Sequence, residues 1–438
     1  MSTFETIPAV DPTDGQSTIC IVGLGYVGLP LAVAFDGAKF DTIGYDIDSD
    51  RIQAFTHGHD PTDEVGDKQV QESTIEFTAQ PQTLSRADFI LVTVPTPLDT
   101  VQAPKLEFVE SAARTIGQHI TPGTTVVLES TVYPGVTRDI FGAIIEAESG
   151  LESGTDFHLG YSPERLSPGS NGIGLRDAVK IVSADTEQTR ARLATLYEQI
   201  VDAGVYAAPT IETAEAAKVL ENVQRDLNIA LMNEMAIICD HLGLDTQEVI
   251  EACSTKWNFH DYSPGLVGGH CIPVDPFYLV HGSERAGFSP RLILQAREIN
   301  EYMPTHVAEL TVKALNQAGK VLKDSRILIL GLSYKPNIAD TRTSEVPNVV
   351  NALSEYDIEV AAYDPIAEPS AEAGCERLES LQFEGFDGIL LSTPHDAFHE
   401  IDFEAATEAL APNPVLIDVK GQLDGEQLER AGYTYRRL

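Results

Sequence analysis

Short apolar segments alternate with helix-like segments over much of the N-terminal half of the chain. The first strand is predicted at residues 18–23, where it runs into a glycine-rich turn and a helical pattern over residues 29–35. Further strands are predicted at residues 42–46, 89–94, 124–129, 157–161 and 180–182. Because strands and helices alternate, we expect a parallel, doubly wound sheet.

A long helix is predicted over residues 211–240, which contain neither glycine nor proline and would span about 45 Å. Thr210 is placed to cap its first turn and Gly243 to end it. The next helix is predicted to begin at residues 245–248, which have the spacing of a capping box. A long helix between two α/β regions often forms a subunit interface, and a buried core helix is the alternative.

The alternation then restarts, with strands predicted at residues 325–331, 359–364, 388–392 and 415–419. The predicted fold class is α/β, with two Rossmann-like doubly wound parallel-sheet domains joined by a central helical domain that contains one long helix. We expect a flexible leader at residues 1–17, a first Rossmann-like domain at 18–208, the helical domain at 209–306 and a second Rossmann-like domain at 307–438.

The composition is typical of a globular protein outside the membrane. The 438 residues have a mean hydropathy of −0.08, and no apolar run reaches the about 18 residues of a membrane span. The N-terminal residues lack the pattern of a secretory signal, so we expect a cytoplasmic protein. Five widely spaced cysteines without a CxxC pair suggest neither a disulfide framework nor a zinc site, and we expect no metal.

The charge is strongly acidic, with 67 Asp and Glu against 29 Lys and Arg and a formal net charge of −38. Such a surface repels nucleic acid and anionic lipid, so neither is an expected partner. Because the acidity is spread along the whole chain, it is typical of a halophilic protein whose repulsion is screened by salt. A diphosphate-bearing substrate requires local positive charge, which directs attention to Lys218, Lys335 and Lys420.

The turn after the first strand reads Gly23-Leu-Gly25-Tyr-Val-Gly28 and opens a helix, which is the context of a dinucleotide-binding fingerprint. The three glycines allow a tight turn, a close approach to a pyrophosphate, and close helix–strand packing. Asp46, after the second strand, is placed to bind the ribose 2′-OH and to repel a 2′-phosphate, which favours NAD over NADP. A glycine turn without a ligand is the alternative.

Cys271 lies in a segment, residues 264–276, where paired glycines permit a sharp bend and prolines stiffen the chain after it. A thiolate presented on such a loop adds to an aldehyde to give a thiohemiacetal, which becomes a thioester on loss of a hydride. One cysteine can therefore carry an alcohol-derived aldehyde on to an acid. A structural cysteine is the alternative.

The supporting groups for this chemistry follow from spacing. Lys218 and Asn222 stand four residues apart on the long helix, where both can reach a tetrahedral oxygen. Asp275 is placed to activate water, or else it satisfies N–H groups of the loop. Residues 130–131 and 162–165 follow strands at the carboxyl edge of the first sheet, where ligands bind, and exposed turns are their alternative.

From residue 18 to residue 421 the chain resembles the nucleotide sugar 6-dehydrogenases, which act on UDP-glucose or on UDP-N-acetylhexosamines. The matching motifs are Gly23-Leu-Gly-Tyr-Val-Gly-Leu-Pro30, Ser130-Thr-Val132, Ser162-Pro-Glu-Arg165, Ala217-Lys-Val-Leu-Glu-Asn222, Gly268-Gly-His-Cys-Ile-Pro-Val-Asp275, Gly331-Leu-Ser-Tyr-Lys335 and Asp340-Thr-Arg342. The resemblance implies a four-electron oxidation of the terminal CH₂OH to a carboxylate with two NAD. It also implies a homodimer formed through the central domain, and a UDP-sugar bound largely by the C-terminal domain.

The resemblance also assigns roles to the matching residues. The expected catalytic residues are Cys271 as the nucleophile, Lys218 and Asn222 as stabilisers of negative charge, and Asp275, Glu164 and Thr131 for protons and the hydrolytic water. The expected NAD-binding residues are Gly23, Gly25, Tyr26, Val27, Gly28, Asp46, Arg51, Thr96, Thr131 and Arg342. The expected substrate-binding residues are Glu164, Arg165, Lys218, Asn222, Gly268, Arg291, Lys335 and Lys420. Lys420 stands where the UDP-glucose enzymes typically have an arginine, and Arg291 is expected to reach a neighbouring subunit's site.

Three segments resemble the branch that acts on UDP-N-acetylhexosamines, namely Ser162-Pro-Glu-Arg165, Lys256-Trp-Asn-Phe259 and Gly268-Gly-His-Cys-Ile-Pro-Val-Asp275. The epimer stays open among N-acetylglucosamine, N-acetylgalactosamine and N-acetylmannosamine, and UDP-glucose is the alternative substrate. Two other classes remain as alternatives. One is a sensor of dinucleotide or nucleotide sugar without catalysis, and the other is a two-electron hydroxyacid dehydrogenase, which leaves Cys271 unexplained.

Overall fold

The computed structural model describes residues 17–165, 174–367 and 373–438, so the predicted leader at 1–17 lies outside the described residues except for Ser17. The chain divides into two compact units. Unit 1 comprises the chain up to Glu221 together with Phe277–Phe288, and unit 2 comprises Asn222–Pro276 together with Ser289–Leu438. The division into three functional domains stays a prediction.

Unit 1 contains an eight-stranded sheet. Its strands are β1 (Thr18–Val22), β2 (Asp41–Tyr45), β3 (Glu76–Thr78), β4 (Phe89–Val92), β5 (Thr125–Leu128), β6 (His158–Tyr161), β7 (Lys180–Ala184) and β8 (Val205–Ala207). Their order is β3-β2-β1-β4-β5-β6-β7-β8, which is doubly wound with its switch point between β1 and β4. Neighbouring strands are parallel, as predicted, except that β7 runs antiparallel to β6.

Helices cover the sheet of unit 1 and bury its apolar residues. They are α1 (Gly28–Gly37), α2 (Ser49–Thr56), α3 (Asp67–Glu72), α4 (Glu107–Gly117), α5 (Ala143–Ser149) and α6 (Glu187–Tyr197), with a π-helical turn at Thr137–Gly142. One core joins Ile19 and Ile21 of β1 to Phe35 of α1 and Leu196 of α6, all of them fully buried. This packing fixes the beginning of α1 at the carboxyl end of β1.

Four helices follow, namely α7 (Ile211–Leu242), α8 (Thr246–Ser254), α9 (Asp275–Arg285) and α10 (Arg291–Gln317). The predicted long helix is confirmed as α7. The hydroxyl of Thr210 accepts the Thr213 N–H at 3.1 Å, and Gly243 has a φ of +68° just after the last turn. Asp245 caps α8, because its carboxylate accepts the Glu248 N–H at 3.0 Å.

Unit 2 contains a six-stranded, all-parallel sheet. Its strands are β9 (Arg326–Leu330), β10 (Glu359–Tyr363), β11 (Glu376–Arg377), β12 (Gly388–Leu391), β13 (Val415–Asp418) and β14 (Thr434–Arg437), in the order β11-β10-β9-β12-β13-β14. Its other helices are α11 (Val346–Ser354), α12 (Phe403–Ala406) and α13 (Gly425–Ala431). Alternate residues of β9 enter separate cores, Ile327 and Ile329 on one face and Leu328 and Leu330 on the other.

All ten predicted strands form, with ends within two residues of the predicted ones. The four unpredicted strands, β3, β8, β11 and β14, are the edge strands of the two sheets. They are short and partly exposed, so they carry no apolar run that a sequence pattern reveals. Within the described residues, no helix combines the length and apolar character needed to cross a bilayer.

Candidate active site

The glycine-rich turn between β1 and α1 has the predicted backbone. Gly23 has a φ of +92°, and a Cβ at Gly28 would lie 1.8 Å from the carbonyl oxygen of Gly23, so neither position accepts a larger residue. A Cβ at Gly25, in contrast, would meet no atom within 4 Å. The open space at Gly25 lies just before α1, where backbone N–H groups attract an anion, so the turn fits the pyrophosphate of a dinucleotide.

Asp46 lies buried beside this turn and organises it. One carboxylate oxygen accepts the Leu24 N–H at 2.8 Å and the Arg51 guanidinium at 2.9 Å, and the other accepts the Asp48 N–H at 2.9 Å. Asp46 therefore has a structural role in this turn. The contact with the ribose stays a prediction from the sequence. Arg51, a second predicted NAD-binding residue, is the counter-charge of Asp46.

The remaining residues of unit 1 that were predicted to bind NAD lie in varied surroundings. Tyr26 is exposed, directly after Gly25. Val27 lines the same small pocket as Glu164, which brings the glycine-rich turn next to the turn after β6. The carbonyl of Thr96 accepts the hydroxyl of Tyr278 at 2.9 Å, so the Thr96 backbone is held in place.

The turn after β6 carries Glu164 and Arg165. A carboxylate oxygen of Glu164 lies 3.9 Å from Nζ of Lys218 on α7, and both side chains are largely buried. Arg165 makes two hydrogen bonds to the carboxylate of Glu221, at 2.7 and 3.2 Å, so its predicted role in substrate binding competes with an ion pair. Thr131 is half-buried at the matching position after β5.

The loop that carries Cys271 is anchored at its beginning by α7. The side-chain amide of Asn233 donates to the Gly265 carbonyl at 3.1 Å and accepts the Gly265 N–H at 2.7 Å. Further along, the Gly269 N–H donates to the Thr343 carbonyl at 3.1 Å. These contacts hold both ends of the five-residue stretch 265–269 against the rest of unit 2, which fixes the chain just ahead of Cys271.

Cys271 itself is exposed, as a thiol presented by a loop requires. Its carbonyl accepts the Asp275 N–H at 2.9 Å, so the residue stands one turn ahead of α9. The N-terminal end of a helix favours a thiolate over a thiol. Asp275 is buried, and its carboxylate accepts the Asn222 amide at 2.6 Å, which orients two predicted catalytic side chains together.

His270 and Arg342 share one acceptor, the carboxylate of Asp340. His270 Nε2 lies 2.9 Å from it, and the Arg342 guanidinium donates to it at 2.8 and 3.0 Å. Burial raises the pKa of Asp340, but the hydrogen bonds from Arg342 and His270 outweigh burial and hold that pKa well below its usual range. Arg342, predicted to contact NAD, is therefore tied to a carboxylate of unit 2.

A pocket in unit 2 brings together residues predicted to bind the substrate. Gly268, Tyr334, Thr393 and Lys420 contribute to its lining. Burial lowers the pKa of Lys420, and within the described part of the chain no carboxylate pairs with its ammonium group. A poorly solvated cation beside a pocket fits a phosphate-bearing ligand.

Lys335 and Arg291 do not line this pocket. Lys335 is half-buried in the turn that follows Tyr334, and Arg291 is exposed as the first residue of α10. The contacts predicted for these two side chains stay predictions.

The turn after β9 repeats the turn after β1. Gly331 has a φ of +87°, and the Leu332 N–H donates to Asp364 at 2.7 Å, as the Leu24 N–H donates to Asp46. A fully buried His395 replaces the arginine partner. Its Nδ1 accepts the Asn337 N–H at 2.8 Å, so its proton lies on Nε2, which donates to Asp364 at 3.0 Å. Burial raises the pKa of Asp364, but this hydrogen bond and the backbone N–H donors together lower it below its usual range.

Sequence reasoning missed two buried polar side chains, one of which, Asn233, anchors the loop of Cys271. Asn233 is a buried polar residue within α7, and Lys180 is a charged residue that begins the fully buried strand β7. Both are polar residues on faces that the periodicity assigns to the core, which is the signal that could have revealed them.

The fold and the site define a dehydrogenase with a Rossmann-type NAD site and a cysteine loop. Models of the UDP-glucose/GDP-mannose dehydrogenase family match the chain at residues 17–201 (NAD binding domain), 212–302 (central domain) and 328–425 (UDP binding domain). The chain belongs to this family, and it is an NAD-dependent nucleotide sugar dehydrogenase.

Similar proteins extend over almost the whole chain. Protein CapL of Staphylococcus aureus is 41% identical over 421 residues, covering 95% of this chain and 99% of CapL. UDP-N-acetyl-D-glucosamine 6-dehydrogenase of Pseudomonas aeruginosa is 40% identical over 413 residues, covering 93% and 98%. The solved UDP-D-ManNAc dehydrogenase of Pyrococcus horikoshii superposes with a TM-score of 0.85 at 31% identity, over 96% of this chain and 98% of that one.

Proposed function

We propose that this enzyme oxidises the terminal CH₂OH of a UDP-N-acetylhexosamine to the carboxylate in two NAD-dependent steps. The observation that carries the double oxidation is Cys271, which is exposed one turn ahead of α9 on a loop anchored through Gly265 and Gly269. A two-electron dehydrogenase does not need such a thiol. A sensor without catalysis needs neither the thiol nor the bond between Asn222 and Asp275.

The roles proposed for the side chains follow from their chemistry. The turn containing Gly25 would hold the pyrophosphate of NAD, which would supply the hydride acceptor for both oxidations. The thiolate of Cys271 adds to the aldehyde, and the resulting thiohemiacetal becomes a thioester when the second hydride leaves. Water then cleaves the thioester, which releases the carboxylate and returns the thiol.

The remaining groups handle charge and protons. Lys218 and Asn222 stabilise the oxyanion, since an ammonium and an amide are both donors. Asp275, held by Asn222, and Glu164, beside Lys218, take protons from the alcohol and from water, and Thr131 orients the water. Lys420 and Lys335 compensate the negative charge of the diphosphate, which the acidic protein otherwise repels.

The N-acetylhexosamine as substrate is supported by two observations. Relatives at 40% identity and the solved relative at 31% identity carry names of N-acetylhexosamine dehydrogenases. In addition, His270, which lies in one of the three segments that resemble the N-acetylhexosamine branch, has a defined partner in Asp340. This residue is therefore part of the structure beside the nucleophile.

We also propose that the enzyme is a cytoplasmic homodimer from a high-salt cell. Leu220, Leu231 and Leu242 are more than half exposed and recur every eleven residues along α7, so they form one apolar stripe. Such a stripe supports a subunit interface along this helix. A nucleophilic thiol functions only when reduced, which favours the cytoplasm.

The test counts NADH per sugar in a panel of UDP-sugars at high salt. We expect two NADH per UDP-N-acetylhexosamine and little turnover of UDP-glucose. A yield of one NADH would support a simple dehydrogenase, and no NADH with any sugar would support a sensor. Faster turnover of UDP-glucose than of any UDP-N-acetylhexosamine would assign the enzyme to the branch that acts on UDP-glucose.

A further inference from the structure

An ion pair is buried between the turns that carry Thr131 and Glu164. Lys180 Nζ lies 2.6 Å from the carboxylate of Glu129, and the two side chains are 4% and 1% exposed. The hydroxyl of Tyr197 donates to the same carboxylate, and Lys180 Nζ lies 5.1 Å from the centre of the Tyr197 ring. The three groups form one closed cluster, to which no role is assigned above.

Lys180 also binds the backbone of the turn after β6. Its ammonium donates to the Pro163 carbonyl at 3.1 Å and to the Ser162 carbonyl at 3.4 Å. These are the two peptide groups immediately before Glu164. Because proline fixes its own φ, holding both carbonyls leaves the chain little freedom as it enters Glu164.

The direction of β7 explains how a lysine reaches this place. Lys180 is the first residue of β7, and β7 is antiparallel to β6 through the pairs Gly160–Ala184 and Tyr161–Ser183. The beginning of β7 therefore lies at the carboxyl edge of β6, which is the edge where ligands bind. In an all-parallel sheet, the first residue of β7 would lie at the opposite edge.

Glu129 connects the same cluster to the neighbouring turn. It directly follows β5, and its N–H donates to the Val92 carbonyl at 2.8 Å. Thr131 stands two residues further on, after Ser130, whose hydroxyl donates to the Val94 carbonyl at 2.6 Å. One ion pair thus spans the turns after β5 and β6.

A buried ion pair is costly, and well-packed apolar residues of similar size are often as stabilising or more so. Its presence here therefore calls for a reason other than stability. We propose that Lys180, paired with Glu129, is a positioning residue that holds Glu164 and Thr131 in place for the reaction. The proposal rests on the function proposed above for those two side chains.

The test replaces the pair with neutral residues in the double variant Lys180→Met, Glu129→Gln. We expect kcat to fall about ten- to hundredfold, because small misplacements of catalytic groups have effects of that size. The KM for NAD should change much less than kcat, because the Gly23 turn and Asp46 are untouched and Thr131 is the one expected NAD-binding residue that the proposal places next to the pair. Lys180→Arg, which keeps the donor and the charge, should recover part of kcat.

The matched control removes a different lysine–carboxylate pair. Lys320 and Asp387 are 2.7 Å apart and largely buried, and Asp387 also accepts the N–H of Arg326, the first residue of β9, at the edge away from ligands. The double variant Lys320→Met, Asp387→Asn should keep kcat within about twofold.

If the first double variant does not fold, Tyr197→Phe provides the same test, because it removes only the hydroxyl that binds Glu129; kcat should then fall severalfold. Wild-type kcat in the folded variants overturns the proposal. A parallel loss of NAD affinity and kcat also overturns it, since that result indicates general damage. The wild type is assayed first, so failure of the proposed function appears as a wild type that makes no NADH.

Discussion

Replacing Asn233 with alanine should destabilise unit 2 strongly. The Asn233 amide makes three buried hydrogen bonds, two to the backbone of Gly265 and one to the Asn300 side chain at 2.8 Å. Each is worth about 1 kcal/mol, and the polar groups left without partners add to the loss, so we expect about 3 to 5 kcal/mol. For a unit of roughly 200 residues, 3 kcal/mol lowers Tm by about 6 to 12 °C.

A matched control lies on the same helix. Within the described residues the Asn228 amide donates only to the exposed Gln224 carbonyl, so Asn228→Ala should lower Tm by less than about 2 °C. Both Tm values are measured by thermal unfolding in the same high-salt buffer. If both variants lowered Tm by a similar small amount, the stabilising role of the Asn233 hydrogen bonds to Gly265 would be refuted. Because Gly265 begins the loop of Cys271, kcat should fall in Asn233→Ala and not in the control.

Three other predictions follow. Cys271→Ser should oxidise the sugar poorly and accumulate an aldehyde- or ester-level species detectable by mass spectrometry, and wild-type turnover would remove the covalent step. The lowered pKa of Asp364 stabilises the fold fully above about pH 4, and this contribution is lost as the pH falls further. Acid unfolding followed by circular dichroism should therefore be steeper for wild type than for Asp364→Asn, and equal slopes would contradict the pairing with His395. Dialysis into low salt should reduce activity, because 38 excess negative charges lose their screening, and unchanged activity would contradict the halophilic assignment.

Much of the fold could be predicted because buried parallel strands are continuous apolar runs. The central strands of both sheets have this pattern. The first turn could be predicted too, because its backbone geometry requires glycines that are visible in the sequence. The reversal of β7 could not be predicted, because the short strand pattern at residues 180–182 is compatible with either strand direction. The sequence pattern therefore indicates only that Lys180 begins a strand, and its place at the ligand-binding edge follows from the structure.

The sequence predicts which residues belong to the candidate site, but it does not predict which partner each of them contacts. Asp275 with Asn222 and Glu164 with Lys218 are pairs of predicted residues that the fold brings together. The partner of Arg165 could not be predicted, because Glu221 is one of many acidic residues in a chain with 67 of them. Which of these carboxylates pairs with an arginine depends on distances in the folded chain, and a local sequence pattern does not reveal those distances.

The turns at Gly23 and at Gly331 share one geometry. In both, a glycine with positive φ is followed by a leucine N–H that donates to an aspartate placed after the second strand. NAD and a UDP-sugar both contain a diphosphate. One turn geometry would therefore suit both the oxidant and the proposed substrate, each at the first strand of its own parallel sheet.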